Sequence, residues 1–300
     1  MTTTQTAARP EPAVTPVGRV VALALMETKL VVRNRTTAIT SLVLPVGIGL
    51  LYVLTFAPGG DSRLWGVVVA LQLAITLGMG VYLTATQTVV ARRHSRVLKR
   101  MRSSGISDAG LLVAIMMPSV AIGLVQLVIY TVIDAATGAP LPPDLLWIAV
   151  AVVGGLALCT TAALATTVVT AAPERAQITT LPLVFVLLGG AVVLSIAPLD
   201  GWWQAAVALP GAAIGQLSQL AFTGAAWSSG FAGVPVVLPS VVSLVVWTVV
   251  FGWVARRRFR WDPRHRDSGT GTPAQGPRHR DPATGTPAPG LSAGCRPGGS

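Results

Sequence analysis

Six long apolar segments punctuate the chain, at about 38–56, 64–90, 109–133, 145–170, 178–197 and 236–255. Each lies near the roughly 20 residues a helix needs to cross the hydrocarbon core of a bilayer. The second and fourth are long enough to tilt or to project beyond it. Ahead of them, Val17, Val20, Val21, Ala24, Leu25, Val31 and Val32 fall on one face of a helical wheel, and Arg19, Lys29 and Arg33 fall opposite. That division predicts a helix lying in the membrane interface. The stretch 198–235 is too broken for one span and too apolar for a free loop, with Pro198, Trp202, Trp203, Pro210, Trp227 and several glycines. It predicts a pair of short helices resting at the outer interface, with the tryptophans as belt residues.

Composition sharpens this picture. Of 300 residues, 52% are hydrophobic and 11% charged, and the mean hydropathy is +0.66. A water-soluble body this apolar could not cover itself with polar atoms, so lipid is the expected solvent. Residues 1–16 read as a disordered lead, 17–260 as the transmembrane domain and 261–300 as a disordered basic tail. In that tail PRHRDSGTGTPAQG (263–276) is followed by PRHRDPATGTPAPG (277–290), a tandem repeat too polar to build a solenoid. The net charge of +11 comes from where the cations sit. With both termini on the cytoplasmic side, every Lys and Arg except Arg63 falls in an inner segment, the arrangement of a multi-pass protein of the bacterial inner membrane. The same count accounts for the charge without DNA or RNA, since no aromatic-interleaved basic surface accompanies it.

Several chemistries are excluded on the residues. The chain has two lysines, Lys29 and Lys99, followed by Leu30 and Arg100, and neither stands in a glycine-rich phosphate loop. The chain is therefore expected to bind no ATP in that way and no cofactor of its own. His94, His265 and His279 all fall in expected inner segments, and Cys159 and Cys295 have no ligand spacing, so neither a catalytic residue nor a metal site is assigned. No acidic residue falls in the middle of a span, and Asp134 marks the outer end of the third. Carriers driven by an ion gradient need a buried titrating group, so a transporter of this kind must take its energy from another polypeptide.

The segment best placed to receive that energy is ARRHSRVLKRMRSSGISDAGLL, between the second and third spans. Arg92, Arg93, Arg96, Lys99, Arg100 and Arg102 crowd a short helical stretch. Ser107 is placed to cap the third span, with Asp108 in its first turn and Ile106 positioned to staple onto Leu111. From composition alone the cluster reads equally as a topogenic charge run. The run LKRMRSSGIS before an apolar span resembles the corresponding loop of ABC type-2 transporter permeases. METKLVVRNRTTAITSLVLPVGIGLLY, with Pro45, resembles that family's interfacial helix and first span. LPLVFVLLGGAVV, the Trp-rich segment after it and ALPGAAIGQL resemble its fifth span and outer re-entrant region. In size and layout the chain is similar to the permeases of daunorubicin-type drug efflux systems. Gly105 stands where the family often has proline, and Arg92, His94 and Arg96 where it commonly has acidic residues.

The resemblance implies an all-α polytopic membrane protein of six transmembrane helices, with an N-terminal interfacial amphipathic helix and an outer re-entrant segment between helices five and six. It implies the permease subunit of an ATP-driven exporter for hydrophobic or amphipathic drug-like molecules or lipids. Two permeases, identical or paired, would join separate P-loop ATPase subunits that hold ATP and magnesium. Arg33, Lys99, Arg100 and Arg102 are then the expected coupling residues, with Glu174 and Arg175 as weaker ones; Pro173 and Glu174 equally suit the first turn of a helix. Gln72, Thr76, Gly80, Thr84 and Gln87 share one face of the second span. They read either as a lining for the path or as polar and small-residue glue between helices. A non-transporting membrane scaffold of the same topology is the competing reading.

Overall fold

Thr15 opens the first helix. Its hydroxyl accepts from the Gly18 amide at 3.2 Å, and Pro16 takes the first helical position, where a missing N–H costs nothing. The computed structural model describes residues 15–33, 35–56, 61–95, 107–170, 172–199, 201–230 and 233–259. Among them the architecture is all-helical, with no strand beyond one isolated bridge between Ser229 and Pro235. The helices are α1 (Pro16–Arg33), α2 (Arg35–Phe56), α3 (Ser62–Ile75), α4 (Thr84–His94), α5 (Asp108–Ala136), α6 (Leu145–Val169), α7 (Pro173–Ile196), α8 (Ala212–Thr223) and α9 (Val237–Arg258). A π-helical segment, Thr76–Leu83, joins α3 to α4 without a break, and a 3-10 segment, Trp202–Ala208, precedes α8.

Among the described residues, five helices are long and apolar enough to cross a membrane: the continuous Ser62–His94, then α5, α6, α7 and α9. They correspond to the second to sixth expected spans. The first expected span falls in α2, whose apolar part, Ser41–Phe56, is shorter. The expected lead (apart from Thr15 and Pro16), the repeat-bearing tail and most of the basic loop lie outside the described residues.

Side-chain contacts give the helix directions. Gln72 meets Asp134 and Gly80 meets Gln126, so the α3–α4 shaft and α5 run antiparallel. Tyr82 meets Thr166 at 2.9 Å and Arg93 meets Thr167 at 2.8 Å, so the shaft and α6 run parallel. Gly154 faces Leu244 and Gly252 faces Thr161, so α6 and α9 are parallel too. One end of the bundle therefore gathers the C-termini of α4, α6 and α9, with Arg92, Arg93 and Arg256–Arg258, and the N-termini of α5 and α7. The other end carries Asp61 at the start of α3, Asp134 at the end of α5 and Asp144 before α6.

The shaft is the axis of the core. Leu73, Leu77, Val81, Tyr82 and Val89 from it pack with Leu111 and Ile115 of α5, Leu158 of α6, Leu187 of α7 and Leu217 of α8. Helices approach closely where glycines face them. A Cβ at Gly123 would sit 2.6 Å from Val81 Cγ2, and one at Gly154 2.8 Å from Leu244 Cδ1. Ser107 caps α5 by accepting from the Gly110 amide at 3.2 Å, as its sequence position predicts.

Pro45 inside α2 leaves the Ser41 carbonyl without its helical donor. Gln126 of α5 supplies one, its Nε2 donating to Ser41 O at 2.6 Å, and the Tyr130 hydroxyl donates to the Pro45 carbonyl. In an apolar medium such replacement is what makes an internal proline tolerable.

The segment between α7 and α9 departs from its expected placement. A pair of short helical pieces is present, but α8 does not rest on a surface: every residue from Ala212 to Phe222 is buried. Gly211 and Gly224, at φ +87° and +66°, turn the chain in and out of it. Gly215 lies directly against the Ala191 carbonyl of α7, where any side chain would collide. Polar side chains of this segment form internal crosslinks. Gln216 donates through Nε2 to Gln204 Oε1, and its own Oε1 accepts from the Ser240 hydroxyl of α9 at 2.6 Å. Trp202 and Trp203, in the 3-10 segment, are exposed and stack at 4.0 Å between ring centroids.

Candidate functional site

Two consecutive arginines at the C-terminus of α4 fasten the basic end of the bundle. Arg93 is buried, and its guanidinium donates from Nη1 to Thr167 O at 2.8 Å and from Nη2 to Thr170 O. These are carbonyls of the last turn of α6 and of the residue that caps its end, which have no further helical N–H to receive there. A cation at that position also meets the negative end of the helix dipole. Arg92 points the other way and forms an ion pair with Glu27 of α1. The Glu27 side chain is 7% exposed and that of Arg92 30%, so the acid is the buried partner. Removing Arg92 would strand a buried carboxylate, which is far costlier than losing a surface pair.

The clamp ties three helices together at the point where the chain leaves α4 for the basic loop. α1 is held through Glu27, α6 through its terminal carbonyls, and α4 carries both arginines. Glu27 was not singled out from sequence, and Arg93 stood there only as one of the crowded loop cations, with no sign of its contact with α6. Glu27 borders the apolar face of α1 that Ala24 and Val20 define, and an acid in that position was the available sign of a buried partner.

Among the expected coupling residues, Arg33 is exposed in the last turn of α1. Glu174 and Arg175 are exposed in the first turn of α7, behind Pro173 at its start. Lys99, Arg100 and Arg102 lie outside the described residues. Pro173 and Glu174 occupy the positions that the helix-start reading gives them.

Of the polar stripe on the second span, Gln72, Thr76 and Gly80 turn to α5. Gln72 Nε2 donates to Asp134 Oδ1 at 2.9 Å, a Cβ at Gly123 would touch Thr76 Cγ2 at 3.6 Å, and one at Gly80 would come within 2.6 Å of Gln126 Oε1. Thr84, partly buried, turns its hydroxyl back to the carbonyls of Gly80 and Val81 at the end of the π segment. Gln87 is half-buried. Thus three members of the stripe meet α5 directly, in the manner of interhelical glue. Asp134, which marks the end of α5 as expected, is not outward-facing: it is 8% exposed.

Long apolar helices in parallel and antiparallel contact, with arginines gathered at one end and an internal polar layer, define a multi-pass membrane protein. Residues 62–257 match the family of ABC-2 family transporter proteins, and the chain belongs to that family. It is thereby an ABC-transporter permease, a membrane transport component of a kind that typically works with an ATPase subunit. The match begins at α3, leaving α1 and α2 outside it. No curated protein sequence and no solved structure matches the chain.

Proposed function

We propose that this chain is the membrane half of an ATP-driven exporter of the bacterial inner membrane, with six spans (α2 being the first) and both termini in the cytoplasm. The reading takes α8 and the 3-10 segment as the outer re-entrant region. Two copies of the permease, or this chain and a related one, enclose the path, and a separate P-loop ATPase binds ATP and magnesium. The cargo class is hydrophobic or amphipathic, a drug-like molecule or a lipid, as for daunorubicin-type efflux systems.

The observation that carries this reading is the clamp at the end of α4. A family permease needs rigid transfer from a cytoplasmic motor to its spans, and Arg92 with Arg93 joins α1 and α6 to the helix from which the basic loop departs. The motor would then bear on Arg33, on the loop through Lys99, Arg100 and Arg102, and on Glu174 and Arg175. Affinity purification of the full chain in mild detergent tests this: a P-loop ATPase should co-purify at near-equal amounts. Reversal of Lys99, Arg100 and Arg102 to glutamate should abolish ATP-dependent transport while leaving membrane insertion intact. Reproducible purification without any ATPase would favour the scaffold instead.

A further inference from the structure

A pocket of about 250 Å³ opens on the side of the bundle between α3, α5 and α6, beneath the loop that joins α5 to α6. Its walls are apolar, with Leu73, Leu127, Ile148, Val152 and Phe222. Ala135 and Leu141 at the rim are exposed, so the pocket communicates with the surroundings of the bundle. Asp134 supplies the one acidic group of this lining, and no cationic side chain belongs to it. Among the described residues its carboxylate has one hydrogen-bond partner, Gln72 Nε2 at 2.9 Å on Oδ1. The phenol of Tyr130, also in the lining, is engaged elsewhere, donating to Pro45 O.

A carboxylate held more than nine-tenths out of solvent, with one neutral donor and apolar walls, is undercompensated. Within a membrane span such a group ordinarily serves as the counter-charge of something else. Arg63 does not fill that role: its guanidinium points to the Ile196 carbonyl of α7. The missing component is a positive charge attached to an apolar body, because a hydrated inorganic cation would gain nothing from Leu73, Phe222 or Val152. We infer that this lateral pocket binds an apolar organic cation, such as a quaternary or protonated amine, with Asp134 as its counter-ion and Gln72 as the residue that positions the carboxylate. The pocket's place in a transport cycle rests on the exporter reading; binding itself does not.

The probe is benzyltrimethylammonium, with neopentylbenzene, its uncharged isostere, as the competitor, on the full chain in phosphatidylglycerol nanodiscs without ATP or ATPase. Saturable binding at one site per chain is expected, displaced by unlabelled cation but not by the isostere. Asp134→Asn keeps the side-chain shape and an acceptor for Gln72 Nε2, and should weaken binding at least tenfold without lowering Tm. Ala135→Trp at the exposed rim should block entry while leaving the carboxylate in place. Unchanged binding in Asp134→Asn, or equal displacement by the isostere, overturns the assignment. Replacing half of the lipid with phosphatidylethanolamine separates the sources: unchanged affinity supports a free organic cation, and lost binding overturns it in favour of an aminolipid headgroup. None of these results bears on ATPase co-purification, so the pocket and the exporter reading fail separately.

Discussion

At the residue scale the most consequential group is Arg93. It does for α6 what a C-terminal glycine does elsewhere, satisfying the last carbonyls, but from another helix and with charge. Hydrogen bonds to charged groups contribute about 1.5–3 kcal/mol each, so two of them form a substantial part of a marginal stability. Arg93→Ala should therefore lower Tm markedly. Arg93→Lys, which keeps the charge but replaces a planar fork with a point donor, should fall between it and the native chain. Thermal unfolding in detergent gives the order, and equal Tm for all three would remove the clamp from the account. The neighbouring pair responds to a different manipulation. Glu27→Arg or Arg92→Glu alone places like charges together at a buried position, whereas the double reversal restores an ion pair. Both single variants should lose Tm and the double should recover much of it, as a coupled pair requires. Additive losses would mean that the two residues act independently.

At the scale of elements, the departures from a plain helix are matched by donors from neighbours. The pairing of Pro45 with Gln126 makes a quantitative case. Gln126→Leu leaves the Ser41 carbonyl without a donor only while residue 45 has no N–H. In a Pro45→Ala background the helix supplies that donor itself, so Gln126→Leu should cost less there than in the native chain. The coupling in such a cycle is expected at about 0.5–2 kcal/mol, the scale of interhelical bonds in membranes. Thermal or denaturant unfolding of the four chains measures it, and a coupling of zero would detach the two residues. The same scale shows what the sequence made legible. Length and apolarity sufficed for α5, α6, α7 and α9, because a span must satisfy its own backbone wherever it lies. The start of α5 was legible for a local reason, since Ser107 acts within its own turn. The burial of α8 was not: whether Gln216 faces lipid headgroups or Ser240 is decided by α9, which enters the chain later and packs on it. Nor was the clamp, because Glu27 and Arg92 are 65 positions apart and no local rule pairs them.

For the whole molecule, the division of charge between the two ends decides how it sits in a bilayer. Helix directions bring Arg92, Arg93 and Arg256–Arg258 to one end, and Asp61 and Asp144 to the other. Cationic segments are retained on the cytoplasmic side of a bacterial inner membrane, so the exporter proposed above would have the end of α4 inside and the α5–α6 connection outside. Two exposed positions report on this directly, Ser95 after α4 and Ala136 at the end of α5. In a chain with Cys295→Ser, Cys159 is buried in the core and is not expected to react. Ala136→Cys should then be labelled by an impermeant maleimide on intact spheroplasts. Ser95→Cys should react only after the membrane is opened. The reverse pattern would invert the molecule and put the clamp, and the loop that follows it, out of reach of any cytoplasmic ATPase.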